Sequence, residues 1–394
     1  MEARAGKAGY LIPVATAAVL GWGLLTALSM GSKWLGLVSL AYLCLAGIAV
    51  VRDRRLVALG LISACIPLGL QYNLWSHGNK FSFMEHYGGS PPEPVIFLVD
   101  LPILLLSLFW LFDLRTGRKQ LPSWTRTETL AAVFIIVSLL SLFITDEYAL
   151  VLFETIRYLK YFLVYLLLRT YLDRPLAFWV VLGAQIGVLA IQGIVSALQY
   201  FLQFSIPFPV GGMAGGAVGV DIIGNEMILR VSGLLGHCNT FSAYLSLACS
   251  FCLIAMFARI KPWMRLAIVP FLVAGVLSLI LTFSRNGWLA FVVNAFGVSA
   301  WAIYTRRLKL PMIVSLIVLC LVMVGVLGAS GVLHTVSLRL FGTEGKEMES
   351  RWDLALVAWE MIRTNPLIGI GLNTFEEAMA QFDPNHITNV IQQP

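Results

Sequence analysis

Glu154, Arg157 and Lys160 follow one another at helical spacing inside an otherwise apolar run, 148–168. Charge within a bilayer costs at least about 2.5–3.5 kcal/mol per residue on insertion scales, so it is retained for a partner or a function. Residues three apart share one helix face, so Glu154 can pair with Arg157. Lys160 is then surplus positive charge, and the three lie roughly 9–18 Å below the extracytoplasmic surface at the helical rise. Two readings stand side by side: a structural ion pair with a snorkelling lysine, or a cationic cavity for an anion.

Two arginines mark the ends of other apolar runs. Arg285 closes Leu281-Thr282-Phe283-Ser284-Arg285. Its planar guanidinium suits phosphate, although an arginine there also serves as an interfacial anchor. Arg230 opens Arg230-Val231-Ser232-Gly233-Leu234-Leu235-Gly236-His237-Cys238-Asn239. It reads either as a solvated loop arginine or as a second anion ligand. His237 and Asn239 sit near the start of a span, where a histidine is more often a hydrogen-bonding residue than a base. Several arginines and a buried lysine on one side of a membrane can surround a diphosphate.

Other chemistries leave no trace. There is no HExxH, no DxD and no carboxylate cluster in the loops, so no metal site and no cofactor is expected. No Walker A loop is present, which argues against an ATP-driven pump. The six cysteines (Cys44, Cys65, Cys238, Cys249, Cys252 and Cys320) lie in or beside apolar runs. They form neither a zinc spacing nor a disulfide framework, and the Cys249/Cys252 CxxC falls in mid-span.

The elements that must position these residues follow from composition. Of 394 residues, 59% are apolar and 12% are charged. A soluble chain carries about 25% charged residues, so an ordinary soluble domain is excluded, as are disorder and coiled coil. The expected fold is all-α and polytopic. A hydrocarbon core of about 30 Å needs roughly 20 apolar residues per helix, which gives about eleven spans. They fall near 10–29, 34–51, 56–72, 94–113, 127–145, 148–168, 175–204, 233–258, 266–283, 286–304 and 310–330. The first run lacks a small-residue cleavage site and reads as a span rather than a cleaved signal.

Every second loop is basic: Arg52, Arg54 and Arg55; Arg115, Arg118 and Lys119; Arg169 and Arg174; Arg259, Lys261 and Arg265; Arg306, Arg307 and Lys309. The positive-inside rule then places the N-terminus in the cytoplasm and 331–394 outside. The net charge of +6 reflects these loops, and no nucleic-acid partner is expected. Residues 1–330 form the membrane domain and 331–394 a large, partly helical extracytoplasmic loop domain. Within the latter, Trp352, Leu356, Trp359 and Ile362 predict a helix over 349–363 that lies on the membrane interface. Asn365-Pro366 ends it. Segments 73–93, with Trp75, His77, His86 and Tyr87, and 205–232, rich in glycine, also face outward. A further, twelfth span is expected to follow if the chain continues past Pro394.

Three stretches in this order resemble the bacterial O-antigen ligase and polymerase superfamily. The first is Arg230…Ser232-Gly233…Asn239, with Cys238 where proline is common. The second is Thr282-Phe283-Ser284-Arg285. The third, the most specific, is Arg351-Trp352…Trp359…Asn365-Pro366-Leu367-Ile368-Gly369-Ile370-Gly371…Phe375. The resemblance covers roughly residues 130–394. It implies a polytopic membrane glycosyltransferase of the GT-C type in the bacterial inner membrane, acting at its periplasmic face without a metal. It also implies a donor glycan on undecaprenyl diphosphate. The acceptor is lipid A–core for a ligase, or another lipid-linked glycan for a polymerase. Arg230 and Arg285 would hold the diphosphate. Arg157 and Lys160 join them on the physics of charge in a span, while Arg351, His237 and Asn239 are secondary candidates. The family's late histidine corresponds here to His386, in Pro384-Asn385-His386-Ile387, without the Asn/Ser-aromatic pair that commonly follows it; either His386 is the base or that residue lies beyond Pro394.

A histidine base and an inverting displacement complete the expected mechanism. The competing reading is a transporter or flippase of a lipid-linked glycan, which would need charges reachable from both membrane faces. A structural membrane subunit would leave Lys160 and Arg285 without a purpose.

Overall fold

The computed structural model describes residues 53–69, 71–73, 95–203, 219–223, 226–258, 260–306, 332–341 and 345–382, with 325 and 328 as isolated positions. In chain order they form α1 (Arg54–Cys65), β1 (Gln71–Asn73), β2 (Val95–Phe97), α2 (Asp100–Arg115), α3 (Arg126–Leu140), α4 (Tyr148–Tyr171), α5 (Pro175–Leu202), β3 (Gly219–Ile223), β4 (Glu226–Arg230), α6 (Cys238–Phe257), α7 (Pro262–Leu281), α8 (Arg285–Tyr304), α9 (Val332–Phe341), α10 (Gly345–Thr364) and α11 (Phe375–Ala378). The described part is mostly helical rather than purely so. β1 pairs with β2, and β3 runs antiparallel to β4.

Five helical segments are long and apolar enough to cross a membrane: Arg126–Phe143, Pro175–Leu202, Cys238–Phe257, Pro262–Leu281 and Arg285–Tyr304. Large apolar side chains on them face outward, such as Leu289, Val292 and Phe296 of α8. A water-soluble protein rarely displays such a surface, and a lipid environment accounts for it. The expected spans 10–29 and 34–51, nearly all of 310–330, the histidines His77 and His86, and the candidate base His386 lie outside the described residues. The total of about eleven spans therefore extends beyond what is described.

Two apolar runs form shorter helices than their length predicts. The run 56–72 yields α1 of 12 residues, which stops just before Pro67, a residue with no N–H to continue the ladder. The run 94–113 yields α2 of 16 residues, because 95–97 are drawn into β2. Neither reaches the roughly 20 residues a crossing needs.

The chain forms two compact units, with α2 divided between them. The first holds α1, β3, β4 and α5 to α9. Its core is built on Leu189 of α5, Phe241, Leu245 and Cys249 of α6, Leu279 of α7, and Phe283. The packing of α6 and α8 is close at Gly287, where an added Cβ would stand 2.4 Å from Ser242 Cβ.

The second unit holds α3, α4, α10 and α11. Glu128, in the first turn of α3, reaches back to the Thr125 N–H at 2.7 Å and its hydroxyl, which caps the helix. Its other oxygen takes Tyr165 Oη at 2.9 Å and the Arg169 guanidinium from α4. One buried carboxylate thus ends a helix and fastens it to its neighbour.

Candidate functional site

The local fold around Arg230 begins with the ribbon. β3 and β4 pair from Gly219↔Arg230 to Ile223↔Glu226. Their isoleucines and valine suit extended backbone. Gly224-Asn225 between two such runs is a hairpin signal in the sequence, within a segment singled out above only for its glycines. Beyond the ribbon, Val231 N–H donates to Leu281 O at 3.2 Å, which lays the chain against the end of α7.

That contact brings two of the three sequence stretches together. Arg230 is buried, with 8% of its surface exposed. Its Nε donates to Thr282 O at 3.0 Å and its Nη2 to Asn239 Oδ1 at 2.9 Å. The same Asn239 oxygen accepts from Ser284 Oγ at 3.1 Å. Arg285 follows Ser284 as the first residue of α8 and is half-buried. Arg230 is therefore not the solvated loop arginine that its glycine-rich surroundings allowed. The α7–α8 corner and the first turn of α6 hold it.

The corner itself is tight. Only residues 282–284 separate α7 from α8. Phe283 takes a left-handed backbone, φ 48°, and is fully buried. That conformation is uncommon outside glycine and asparagine, and it persists only where packing enforces it. Phe283 lies in the core with Phe241.

Asn239 belongs to the first turn of α6, and Ser284 caps α8. Their hydrogen bond therefore joins the N-termini of two spans. Each such end carries the partial positive charge of a helix dipole. Two of them beside Arg230 and Arg285 make an electropositive corner suited to an anion. Asn239 is itself exposed, so the corner reaches the surface.

His237 is the cap of α6 and precedes that span. Its Nδ1 accepts from Asn239 N–H at 3.2 Å. Burial, and secondly the charge of Arg230, push its pKa below the usual histidine value. A neutral ring with Nδ1 already accepting carries its proton on Nε2. His237 thus presents a donor at this corner rather than a base.

A ladder of glutamines supports the corner from behind. Gln185, Gln192 and Gln199 are seven residues apart on α5, and all are buried. Gln199 Oε1 accepts from Ser232 N–H at 3.3 Å and from Gly233 N–H at 2.9 Å. Gln192 accepts from Leu234 N–H at 3.0 Å and donates to Pro67 O at 2.9 Å. Gln185 donates to Ser63 and accepts from Tyr244 Oη at 2.9 Å. Non-helical backbone survives at membrane depth only where protein satisfies it. These glutamines do so for the segment that follows Arg230. Sequence reasoning passed them over, although polar residues at regular intervals in so apolar a span were the available signal.

The remaining candidates belong to the second unit. Arg157 pairs with Glu154 along α4, and Glu154 is buried. Lys160, one turn further, is half-buried. Arg351 lies within α10. Among the described residues, no group of three or more His, Cys, Asp or Glu side chains could hold a metal ion.

Residues 270–393 match the family model described as O-antigen ligase. This stretch is similar to the O-antigen ligase family. Within the matched stretch lie Arg285, Arg351 and His386, while Arg157, Lys160, Arg230, His237 and Asn239 precede it. Together with the five apolar helices, the match supports a membrane glycosyltransferase of the O-antigen ligase type. No curated protein and no solved structure matches the chain.

Proposed function

We propose that the chain transfers a glycan from undecaprenyl diphosphate to an acceptor sugar hydroxyl, at the periplasmic face of the bacterial inner membrane. The N-terminus then lies in the cytoplasm. The acceptor is lipid A–core or a second lipid-linked glycan. The observation that carries this reading is the corner formed by Arg230, Asn239, Ser284 and Arg285, where two helix N-termini meet.

The acceptor oxygen attacks the anomeric carbon from the side opposite the diphosphate. The carbon–oxygen bond to the diphosphate breaks, its electron pair stays on the leaving phosphate oxygen, and the configuration inverts. A histidine takes the proton of the acceptor hydroxyl, a task suited to a group whose pKa lies near working pH. His386 is assigned that role. Charge grows on the diphosphate as the bond breaks, so fixed cations beside it stabilise the transition state more than the ground state. Arg230 and Arg285 supply that charge in place of a metal ion, and His237 adds an Nε2–H donor. Arg157 and Lys160 form a second cationic stretch for the anionic substrates.

Purified protein in nanodiscs, given lipid-linked donor and acceptor, tests the assignment. Arg285→Ala and Arg230→Ala should each lower turnover about 10²–10³-fold, the loss typical of removing one transition-state donor. Arg285→Lys should recover part of the rate. Full turnover in both alanine variants would refute the proposal.

A further inference from the structure

Helix α10 carries two apolar stripes on opposite sides, at about 3.6 residues per turn. Leu354, Val357 and Met361 form the inner one and pack against Ile370, Phe375 and Met379. This stripe already anchors the helix to its own unit. Trp352, Leu356, Trp359 and Ile362 form the outer one, and they remain exposed, Trp352 at 67% and Trp359 at 60%. These four side chains keep about half or more of their surface outside the packing of the unit.

The level at which α10 is held is set by the chain that follows it. Leu372 N–H donates to Ser141 Oγ at 3.2 Å. Gly371 lies so close to Thr145 that an added Cβ would stand 3.1 Å from its Cβ. Ser141–Phe143 is the last turn of the candidate span Arg126–Phe143. The segment leaving α10 is therefore pinned where a membrane crossing ends and headgroups begin.

We infer that the outer stripe of α10 rests in the lipid interface of the membrane that holds the chain. Tryptophan is enriched at that depth because its ring is apolar and its N–H polar. An interfacial helix sinks its apolar face about 5–10 Å into the boundary between headgroups and acyl chains. Arg363 shares the outer side and pairs with Glu360 at 3.4 Å. Its long stem keeps the charge at headgroup level. Leu367, exposed at 89%, extends the apolar contact beyond the helix end. The inference rests on the membrane character of the chain and not on glycosyl transfer.

Quenching of tryptophan emission in nanodiscs tests it with the full chain. The protein has 11 tryptophans, so the signal of interest is wild type minus the double variant Trp352→Tyr/Trp359→Tyr. This difference emission should be lost in lipid brominated near the head of the acyl chain. Bromine near the chain end should quench it less, and aqueous iodide should leave it intact. Quenching by iodide but not by bromine places the stripe in water and overturns the inference. Quenching by neither places it against protein and overturns it equally. Should the double variant not fold, Trp359→Tyr alone gives the same three readings.

Discussion

The guanidinium of Arg230 donates to Asn239 Oδ1 at 2.9 Å, tying the last residue of a β-ribbon to the first turn of a span. The same oxygen receives the hydroxyl of Ser284, the cap of the next span but one. A single amide oxygen thus holds three separate chain segments at one point.

Asn239→Ala removes that shared acceptor. A buried donor that loses its partner costs about 1–3 kcal/mol, so the variant should melt earlier in detergent. Asn239→Asp keeps an acceptor and should retain most of the stability. Its added negative charge should nevertheless weaken binding of an undecaprenyl diphosphate probe. A wild-type melting point for Asn239→Ala would show that the oxygen holds nothing together.

Gln199→Leu fills the same space but leaves the Ser232 and Gly233 amides without their acceptor. At about 1–3 kcal/mol for each buried group, this should destabilise more than any single leucine substitution on the lipid-facing side of α5. Amide hydrogen exchange at 232–234 should also accelerate, and protection equal to wild type there would contradict the assignment.

Gly287→Ala tests the approach of α6 to α8. The new methyl would stand 2.4 Å from Ser242 Cβ, inside any real contact distance. Overpacking of this kind costs about 1–3 kcal/mol. Ser242→Gly in the same chain should restore the melting temperature. Failure of that rescue would mean the strain lies elsewhere.

His237 gives a pH prediction with a defined sign. Its folded pKa lies below the ordinary value, through burial and then Arg230. The unfolded chain therefore binds the proton first as pH falls, from about 6.5 downward. The stability that neutral His237 confers is complete above that value, and is lost as pH falls from there through the folded pKa. Protonation would also take Nδ1 away from the Asn239 amide. His237→Asn, still a good helix cap, should flatten this part of the acid limb of a melting-temperature profile. An unchanged limb would remove His237 as its cause.

How much the amino-acid order disclosed depended on the kind of interaction. The spans at 127–145, 175–204, 233–258, 266–283 and 286–304 could be read because a bilayer sets a length and a composition that local sequence must meet. The runs at 56–72 and 94–113 misled, because hydropathy alone ignores Pro67 and the strand-forming Val95–Phe97. Thr282-Phe283-Ser284-Arg285 could be singled out by its motif. That it meets Asn239 could not, since the two are 45 residues apart and joined by one hydrogen bond. Arg230 could be read either as solvated or as an anion ligand, because the contact that helps to bury it, with Thr282, comes from far along the chain. The glutamines of α5 escaped notice for the opposite reason. Each is unremarkable alone, and only their common stripe and distant backbone partners give them meaning.

The equal intervals between those glutamines make α5 sensitive to insertion. One extra residue between Gln192 and Gln199 would swing every later side chain by more than a quarter turn, since each residue advances the helix by about 100°. Gln199 would leave the Ser232 and Gly233 amides for the place where Tyr200 packs on the core, whereas Gln185 and Gln192 would keep their places. A conservative substitution on this helix is therefore a smaller change than an added alanine, because its information resides in phase.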